Sequence, residues 1–308
     1  MKAMEMRRRW DVVPGVGRLR TLFANLYTVE SQDGAWVLLD TGLGGFAGRI
    51  RRAVEKRFGS GARPRAIVLT HGHHDHAGNA KELAEWWDVP VWSHRLELPY
   101  LTGRSLYPPE DPSLGGPPAW LSRLVHSVHF ELGGRVRALP EGGEVPFLPQ
   151  WRWRHTPGHS PGHIVLFREA DRTLLTGDAL VTTDLETWRG FLTGRRRFGP
   201  PPSASTPDWD AARQSLRALA GLAPRTVAAG HGSPWSGPHV AAELRAFAET
   251  MPVPRRGRYV PRPARFHPDG SVAWLPPPVP DPIGDRALLV AGIALLTMIL
   301  AGLSGCVP

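Results

Sequence analysis

Cysteine is nearly absent from this chain, because Cys306 is the only one among 308 residues. This excludes an intramolecular disulfide and makes a set of thiolate metal ligands unavailable. An apolar stretch is also missing from the N-terminus, where the basic residues 1–9 lead directly into Trp10 and Asp11. We therefore expect no secretory signal and a cytoplasmic location for the main domain.

Negative charge is in the minority, since 37 Lys and Arg residues outnumber 28 Asp and Glu residues and leave a formal charge of +9. Such a balance favours anionic partners. The arginines are scattered, however, and no basic stripe with interleaved aromatic residues of the kind that binds nucleic acid is present. We interpret them as solvated surface residues and consider a nucleic-acid partner unlikely.

Apolar runs and helical patterns alternate along most of the chain, which predicts an α/β domain over residues 12–250. Residues 99–149 are rich in proline and glycine and predict a lid-like insertion. The predicted strands are 35–39, 66–70, 151–155, 164–167, 173–176 and 226–229, and the predicted helices are 46–58, 77–87, 208–222 and 238–250.

The C-terminal part changes in composition twice. Proline recurs through residues 251–286, which predicts a semi-rigid arm. Residues 287–305 then carry no charge over 19 positions, and a helix of that length spans about 29 Å, close to the ~30 Å hydrocarbon core. A buried helix is the alternative, but it would normally have a polar face. We expect a transmembrane helix that anchors the chain in the membrane, with Arg286 and the main domain on the cytoplasmic side.

The stretch His71-Gly72-His73-His74-Asp75-His76 places five possible metal ligands within six residues, directly after a predicted strand. Histidines are rarely crowded in this way unless a cation or buried partners compensate for their charged forms. Asp178 and His231 each follow another predicted strand, and His159 lies in a turn after a fourth. These residues should therefore gather along one edge of a sheet sandwich.

This stretch resembles the His-x-His-x-Asp-His signature of the metallo-β-lactamase superfamily. Four further motifs resemble the accompanying ones in the same order, and they are Leu39-Asp40-Thr41-Gly42, residues 156–163, Thr176-Gly177-Asp178 and Gly230-His231-Gly232. The resemblance covers roughly residues 12–250 and implies a four-layer αββα sandwich. It is closest to the glyoxalase II-like pattern, and not to that of the β-lactamases that use cysteine.

The resemblance also implies a ligand set for two divalent metal ions. Zinc is the first expectation, and iron or manganese accepts the same ligands. One ion would be held by His71, His73 and His159, the other by Asp75, His76 and His231, with Asp178 bridging them. Asp40 and His163 are expected just behind the ligands, where Asp40 would hold a ligand imidazole in its tautomer. His74 occupies a variable position of the motif and is expected at the surface.

The implied activity is that of a metallo-hydrolase. A hydroxide bridging the two ions would attack the substrate, because bound zinc lowers the pKa of water from ~15.7 toward ~7. Asp75 is the expected catalytic residue, which orients the hydroxide and carries a proton to the leaving group.

A small carbonyl compound such as a thioester, ester or lactone is the leading substrate class. The alternatives are a phosphodiesterase or nuclease, a mononuclear-iron oxygenase similar to the persulfide dioxygenases, and a membrane adaptor without catalysis. Residues 99–149 and 184–207 are expected to cover the pocket, and Arg195, Arg196 and Arg197 could grip an anionic group. The sequence leaves substrate, metal identity and oligomeric state open.

Overall fold

The computed structural model describes residues 10–123 and 130–281. Its larger sheet has seven strands in sequential order. Neighbouring strands from the first to the fourth pair antiparallel, and neighbouring strands from the fourth to the seventh pair parallel. The strands are β1 (Asp11–Val13), β2 (Val16–Thr21), β3 (Ala24–Glu30), β4 (Trp36–Leu39), β5 (Ile67–Val68), β6 (Val91–Ser93) and β7 (Val136–Ala138).

The second sheet faces the first and has five strands in the order β14-β13-β10-β9-β8. Only β10 and β13 pair parallel in it. Two small two-stranded sheets are formed by β11 with β12 and by β15 with β16. The bounds are β8 (Trp151–His155), β9 (Ile164–Arg168), β10 (Thr173–Gly177), β11 (Val181–Thr183), β12 (Arg196–Gly199), β13 (Thr226–Ala229), β14 (Trp235–Ser236), β15 (Arg265–Phe266) and β16 (Val272–Trp274).

Helices cover the outer face of each sheet. Asp208 caps the helix Trp209–Gly221 at its N-terminus, since its side chain accepts a hydrogen bond from the Ala211 amide at 2.9 Å. The α-helices are α1 (Ala47–Phe58), α2 (His74–Ala77), α3 (Ala80–Trp87), α4 (Leu98–Leu101), α5 (Gly116–Leu121), α6 (Trp188–Thr193), α7 (Trp209–Gly221) and α8 (Val240–Thr250).

The alternation of side chains along each strand divides the interior into three apolar cores. In β4, Val37 and Leu39 belong to the core between the two sheets, whereas Leu38 belongs to the core that the first sheet shares with α1 and α3. In β10, Leu175 faces the other sheet and Leu174 faces α7 and α8. The α/β sandwich predicted from the sequence is therefore confirmed.

The prediction of a C-terminal transmembrane helix, and with it of a membrane-anchored location and a membrane partner, is corrected by the structure. Among the described residues, no helix is long and apolar enough to cross a bilayer. The longest of them, α7, has 13 residues, which is about 20 Å against a hydrocarbon core of ~30 Å. The predicted span 287–305 lies outside the described residues. The fold class of the described residues is the α/β sandwich.

Residues 251–281, which we call the strap, pack against the domain although their prolines predict an extended arm. Tyr259 is buried in the core beneath α7 and α8, and its hydroxyl donates to the Pro109 carbonyl at 2.6 Å. Farther along, the Tyr100 hydroxyl donates to the Gly270 carbonyl. The strap therefore holds the segment that includes α4, part of the expected lid. The rest of residues 99–149 includes α5 and the edge strand β7.

Candidate metal centre

The predicted ligands lie where strands of both sheets end at one edge of the sandwich. His71 and His73 follow β5, and Asp178 and His231 follow β10 and β13. Since β10 and β13 are parallel neighbours, their C-terminal ends meet at the same place. His159 comes from the turn between β8 and β9. The sequence order thus brings four separate segments to a single point.

Three groups of side chains at this edge could hold a metal ion. In each group the ligand atoms all lie within 4.8 Å of one another. Asp178 lies between the groups, because its Oδ2 is 3.1 Å from His231 Nε2 and 3.6 Å from His159 Nε2, and its Oδ1 is 3.4 Å from His76 Nε2. The groups are His71, His73 and His159; His71, His76 and Asp178; and Asp75, His76 and His231.

The group His71, His76 and Asp178 contains buried polar atoms that make no hydrogen bond. Among the described residues, Nε2 of His71, Nε2 of His76 and Oδ1 of Asp178 have no hydrogen bond. Buried polar atoms are nearly always paired, so three such atoms together require an explanation. Imidazole nitrogens and a carboxylate oxygen are ligands that zinc and iron accept. The residues therefore fit divalent metal ions.

Burial controls the protonation of the histidines on one side of the centre. It lowers the pKa of His71 and His159 well below the usual value and that of His73 to about 4. Each imidazole is consequently neutral, which is the form that binds a metal ion.

The carboxylates dominate on the other side. Burial alone would lower the pKa of His76. The charges of Asp178 and Asp75 outweigh this effect and raise the pKa well above its usual value. Burial conversely raises the pKa of Asp178, but His231 and His76 hold it well below the usual range. Positive charge, whether of protons or of a metal ion, is thus favoured at this point.

Asp40 lies behind two of the histidines and orients both. Its Oδ2 accepts a hydrogen bond from His76 Nδ1 at 2.9 Å, and its Oδ1 accepts one from the Thr70 amide at 2.7 Å. The Thr70 hydroxyl donates to Asp40 at 2.9 Å and lies 3.1 Å from His71 Nδ1. Both imidazoles are thereby held by Nδ1, which leaves Nε2 directed toward the centre. Asp40 itself has a φ of 61°, which is uncommon for a residue other than glycine.

His163 contacts the backbone of a ligand and is not a member of the three groups. Its Nε2 accepts a hydrogen bond from the Asp178 amide at 3.0 Å, and its Nδ1 lies 2.8 Å from the Thr156 hydroxyl. Burial lowers its pKa to about 3, so the ring is a neutral acceptor. His74 is half-buried at the start of α2 and is also outside the groups.

Asn25 and Tyr27 of β3 are residues that the sequence analysis missed. Asn25 Nδ2 donates to the carbonyls of Ala229 at 2.9 Å and Gly232 at 2.7 Å, and the Tyr27 hydroxyl donates to Ala229 at 2.6 Å. The first sheet thereby holds the loop of the second sheet that carries His231. A polar Asn within an otherwise apolar run is the signal that could have revealed this contact.

Comparison with known proteins decides the family. The model of the metallo-beta-lactamase superfamily matches residues 19–231, a range that includes all seven predicted ligands. The chain belongs to this superfamily. It is 41% identical over 245 residues to the probable metallo-hydrolase YflN of Bacillus subtilis strain 168, a match that covers 79% of this chain and 93% of YflN.

Solved structures of the superfamily are similar as well. TTHA1623, whose crystal structure is of a di-iron-bound form, is 29% identical with a TM-score of 0.51, covering 77% of this chain and 98% of that one. The metallo-beta-lactamase family protein TTHA1429 of Thermus thermophilus is 25% identical with a TM-score of 0.54, covering 78% of this chain and 79% of that one.

A cavity of about 240 Å³ opens onto the metal centre of this superfamily member. No lysine or arginine is among the described residues that line it, and Glu110 adds a carboxyl group to its wall. Arg195, Arg196 and Arg197, which the sequence suggested for an anionic group, are not among the lining residues either. The apolar part of the wall includes Leu22, Phe23, Leu43, Leu121, Leu185 and Phe191.

Proposed function

We propose that this protein is a dinuclear metallo-hydrolase that cleaves a carbonyl compound with an apolar acyl part, such as a thioester, an ester or a lactone. The observation that carries the proposal is the cavity over the candidate metal centre, whose walls are largely apolar and include no Lys or Arg among the described residues. Such walls favour a neutral substrate with a hydrocarbon portion.

Phosphodiester cleavage is the alternative that the cavity disfavours. A phosphodiester is an anion, and its recognition commonly uses Arg or Lys. The wall of this cavity instead has Glu110, whose pKa is raised to about 7 by burial and by the nearby Asp75. The described wall thus offers a carboxyl group and no Lys or Arg, which favours a neutral substrate over a phosphodiester.

The proposed ligand set is the glyoxalase II-like one. His71, His73 and His159 would hold one ion, Asp75, His76 and His231 the other, and Asp178 would lie between them. Bound divalent ions supply Lewis acidity and lower the pKa of water toward ~7. Zinc, iron and manganese all suit these ligands. Because TTHA1623 has been crystallised in a di-iron-bound form, iron and zinc are the first two metals to test.

Asp75 is the residue we propose for proton transfer. It lines the cavity, and its Oδ2 lies 3.3 Å from His231 Nε2. Burial would raise its pKa, but His76 and His231 hold it well below its usual range, so Asp75 is an ionised carboxylate that can accept a hydrogen bond from the attacking water. From this position it can orient the attacking water and pass the proton to the leaving group. The apolar walls meanwhile exclude bulk water from the acyl part of the substrate.

The test begins with metal analysis of the purified protein. Samples reconstituted with Zn²⁺, Fe²⁺ or Mn²⁺ are then assayed on esters, thioesters and lactones of increasing acyl length, and on bis-p-nitrophenyl phosphate. A buried methylene contributes ~0.8 kcal/mol, so kcat/KM should rise about fourfold per added carbon until the cavity is full. A phosphodiester hydrolysed faster than every carbonyl substrate would contradict the proposal. Oxygen uptake by the iron-loaded protein with a small persulfide would favour the oxygenase alternative.

Cavity variants sharpen this experiment. Leu121 lines the cavity and is half-buried at the end of α5. Leu121→Trp should shift the preferred acyl chain toward shorter lengths, and Leu121→Ala should shift it toward longer ones. Leu106→Ala is the matched control, because Leu106 is exposed and outside the lining. If neither Leu121 variant changes the preference, the acyl part does not bind in this cavity.

A further inference from the structure

Glu97 is a buried carboxyl group that neither the sequence motifs nor the proposed reaction explains. It ends the short 3-10 turn Arg95–Glu97, just before α4, and has no exposed surface. Its carboxylate accepts four hydrogen bonds. At Oε1 the donors are the Ser160 hydroxyl and the Gly162 amide, each at 2.7 Å, and at Oε2 they are the Gly72 amide at 3.0 Å and the Tyr107 hydroxyl.

Two of the metal-ligand loops meet at this carboxylate. Gly72 lies between His71 and His73, whereas Ser160 directly follows His159. The first loop leaves the seven-stranded sheet after β5, and the second connects β8 and β9 of the other sheet. A buried carboxylate is costly unless several donors satisfy it. Glu97 meets this condition through donors that come mainly from the two loops.

Tyr107 extends the contact to a ligand ring. Its hydroxyl accepts from the Gly72 amide at 2.9 Å and donates to Glu97. Its ring meets the His73 ring edge to face with 4.5 Å between centroids and stacks on Tyr100 at 3.9 Å. Burial and the neighbouring Glu97 raise the pKa of Tyr107 well above its usual value, so the hydroxyl keeps its proton. The His73 imidazole is thus confined by a side chain that Glu97 itself holds.

We propose that Glu97 is a positioning residue that sets the spacing of His71, His73 and His159 and thereby the affinity of one of the two metal sites. The inference rests on the dinuclear centre proposed above. None of the four hydrogen bonds of Glu97 goes to Asp75, His76 or His231. Loss of Glu97 should therefore weaken one ion selectively.

Glu97→Gln tests this with almost no change in shape. An amide group replaces one oxygen, so an NH₂ group must face two of the four donors at one end of the side chain. We expect one ion to bind roughly 10- to 100-fold more weakly while the other keeps its affinity. The metal-free protein is titrated with Co²⁺ in two steps. Calorimetry and the visible Co²⁺ spectrum monitor the titration, so that the affinities of the two sites are measured separately and without an activity assay.

Two further variants separate positioning from general damage. Glu97→Asp keeps the charge and should restore part of the lost affinity, and Glu82→Gln is the matched control because Glu82 is exposed on α3. If Glu97→Gln fails to fold, Tyr107→Phe removes only one donor and should still weaken the same ion, by a smaller factor.

The outcomes distinguish this inference from the proposed function. If the wild type binds two ions and Glu97→Gln lowers the affinity for one of them, both the dinuclear centre and the role of Glu97 are supported. Wild-type affinity at both sites in Glu97→Gln, or an equal loss at both, overturns the role of Glu97 and leaves the dinuclear centre intact. Fewer than two ions in the wild type overturns both.

Discussion

Replacing Asp40 by asparagine should change which nitrogen of His76 carries the proton. In the wild type, Asp40 Oδ2 accepts from His76 Nδ1 at 2.9 Å while Oδ1 accepts from the Thr70 amide at 2.7 Å. Asparagine has the same shape and tolerates the φ of 61°. Its oxygen can accept from Thr70, but its NH₂ group then faces Nδ1 and favours the tautomer with the proton on Nε2. The reverse orientation of the asparagine amide would place its NH₂ group against the Thr70 N–H, so that two hydrogen-bond donors face each other.

The size of the effect follows from the hydrogen bond that is lost. A hydrogen bond to a charged group contributes about 1.5–3 kcal/mol, and ~1.4 kcal/mol is a factor of ten in affinity. The ion held by His76 should therefore bind about 10- to 150-fold more weakly in Asp40→Asn. Competition with a chelator of known affinity, with metal content measured at each chelator concentration, gives this ratio directly.

Asp33→Asn is the control for this experiment. Asp33 is exposed, and its carboxylate accepts a hydrogen bond only from the Ala35 amide, at 3.0 Å, among the described contacts. The Asp33→Asn variant should bind both metal ions with the affinity of the wild type. If Asp40→Asn also binds both ions as tightly as the wild type, Asp40 does not set the tautomer of His76 and the reasoning is refuted.

Three other substitutions test the centre and its support. Asp178→Ala removes the carboxylate between the ligand groups, so both metal content and hydrolysis should be lost with an unchanged circular dichroism spectrum; retention of two ions would disprove the assignment. His163→Ala removes the acceptor of the Asp178 amide and should lower metal affinity or activity by about 10- to 100-fold, and a loss as complete as that of His159→Ala would mean that His163 is itself a ligand. Asn25→Ala removes two hydrogen bonds and leaves the Gly232 carbonyl without its side-chain donor, whereas the Ala229 carbonyl keeps the Tyr27 hydroxyl. A cost on the order of 2 kcal/mol should lower the Tm by about 4–8 °C. An unchanged Tm in thermal denaturation would show that this contact between the sheets contributes little.

The candidate metal ligands can be located from the sequence because they follow strands that apolar runs already mark. The run 66–70 predicts the strand observed as β5 (Ile67–Val68), and the run 226–229 coincides with β13. Once the strands are placed, their ends locate His71 and His231. All seven predicted ligands fall within the three groups that could hold a metal ion. A local sequence pattern is enough to locate a side chain that directly follows the end of a strand.

The supports of the centre could not be predicted in the same way. Glu97 meets Gly162, 65 positions away, and Asn25 meets Ala229, 204 positions away. No spacing rule joins such distant residues, because the contacts exist only after the sheets have packed. The strap is another case in which packing adds contacts that composition does not predict. Proline restricts the backbone and so predicts an extended arm, but the interspersed Met251, Tyr259 and Ala264 bury their side chains in the core.

The placement of the ligands along the chain gives the metal centre an order of completion during synthesis. The group His71, His73 and His159 is complete once residue 159 has been made, whereas the group Asp75, His76 and His231 needs a residue roughly 70 positions later. At ~5–20 residues per second this interval lasts about 4 to 14 s. The strap follows every ligand in the chain. Its contacts with the segment around α4 can therefore form only after the last ligand of the centre has been made.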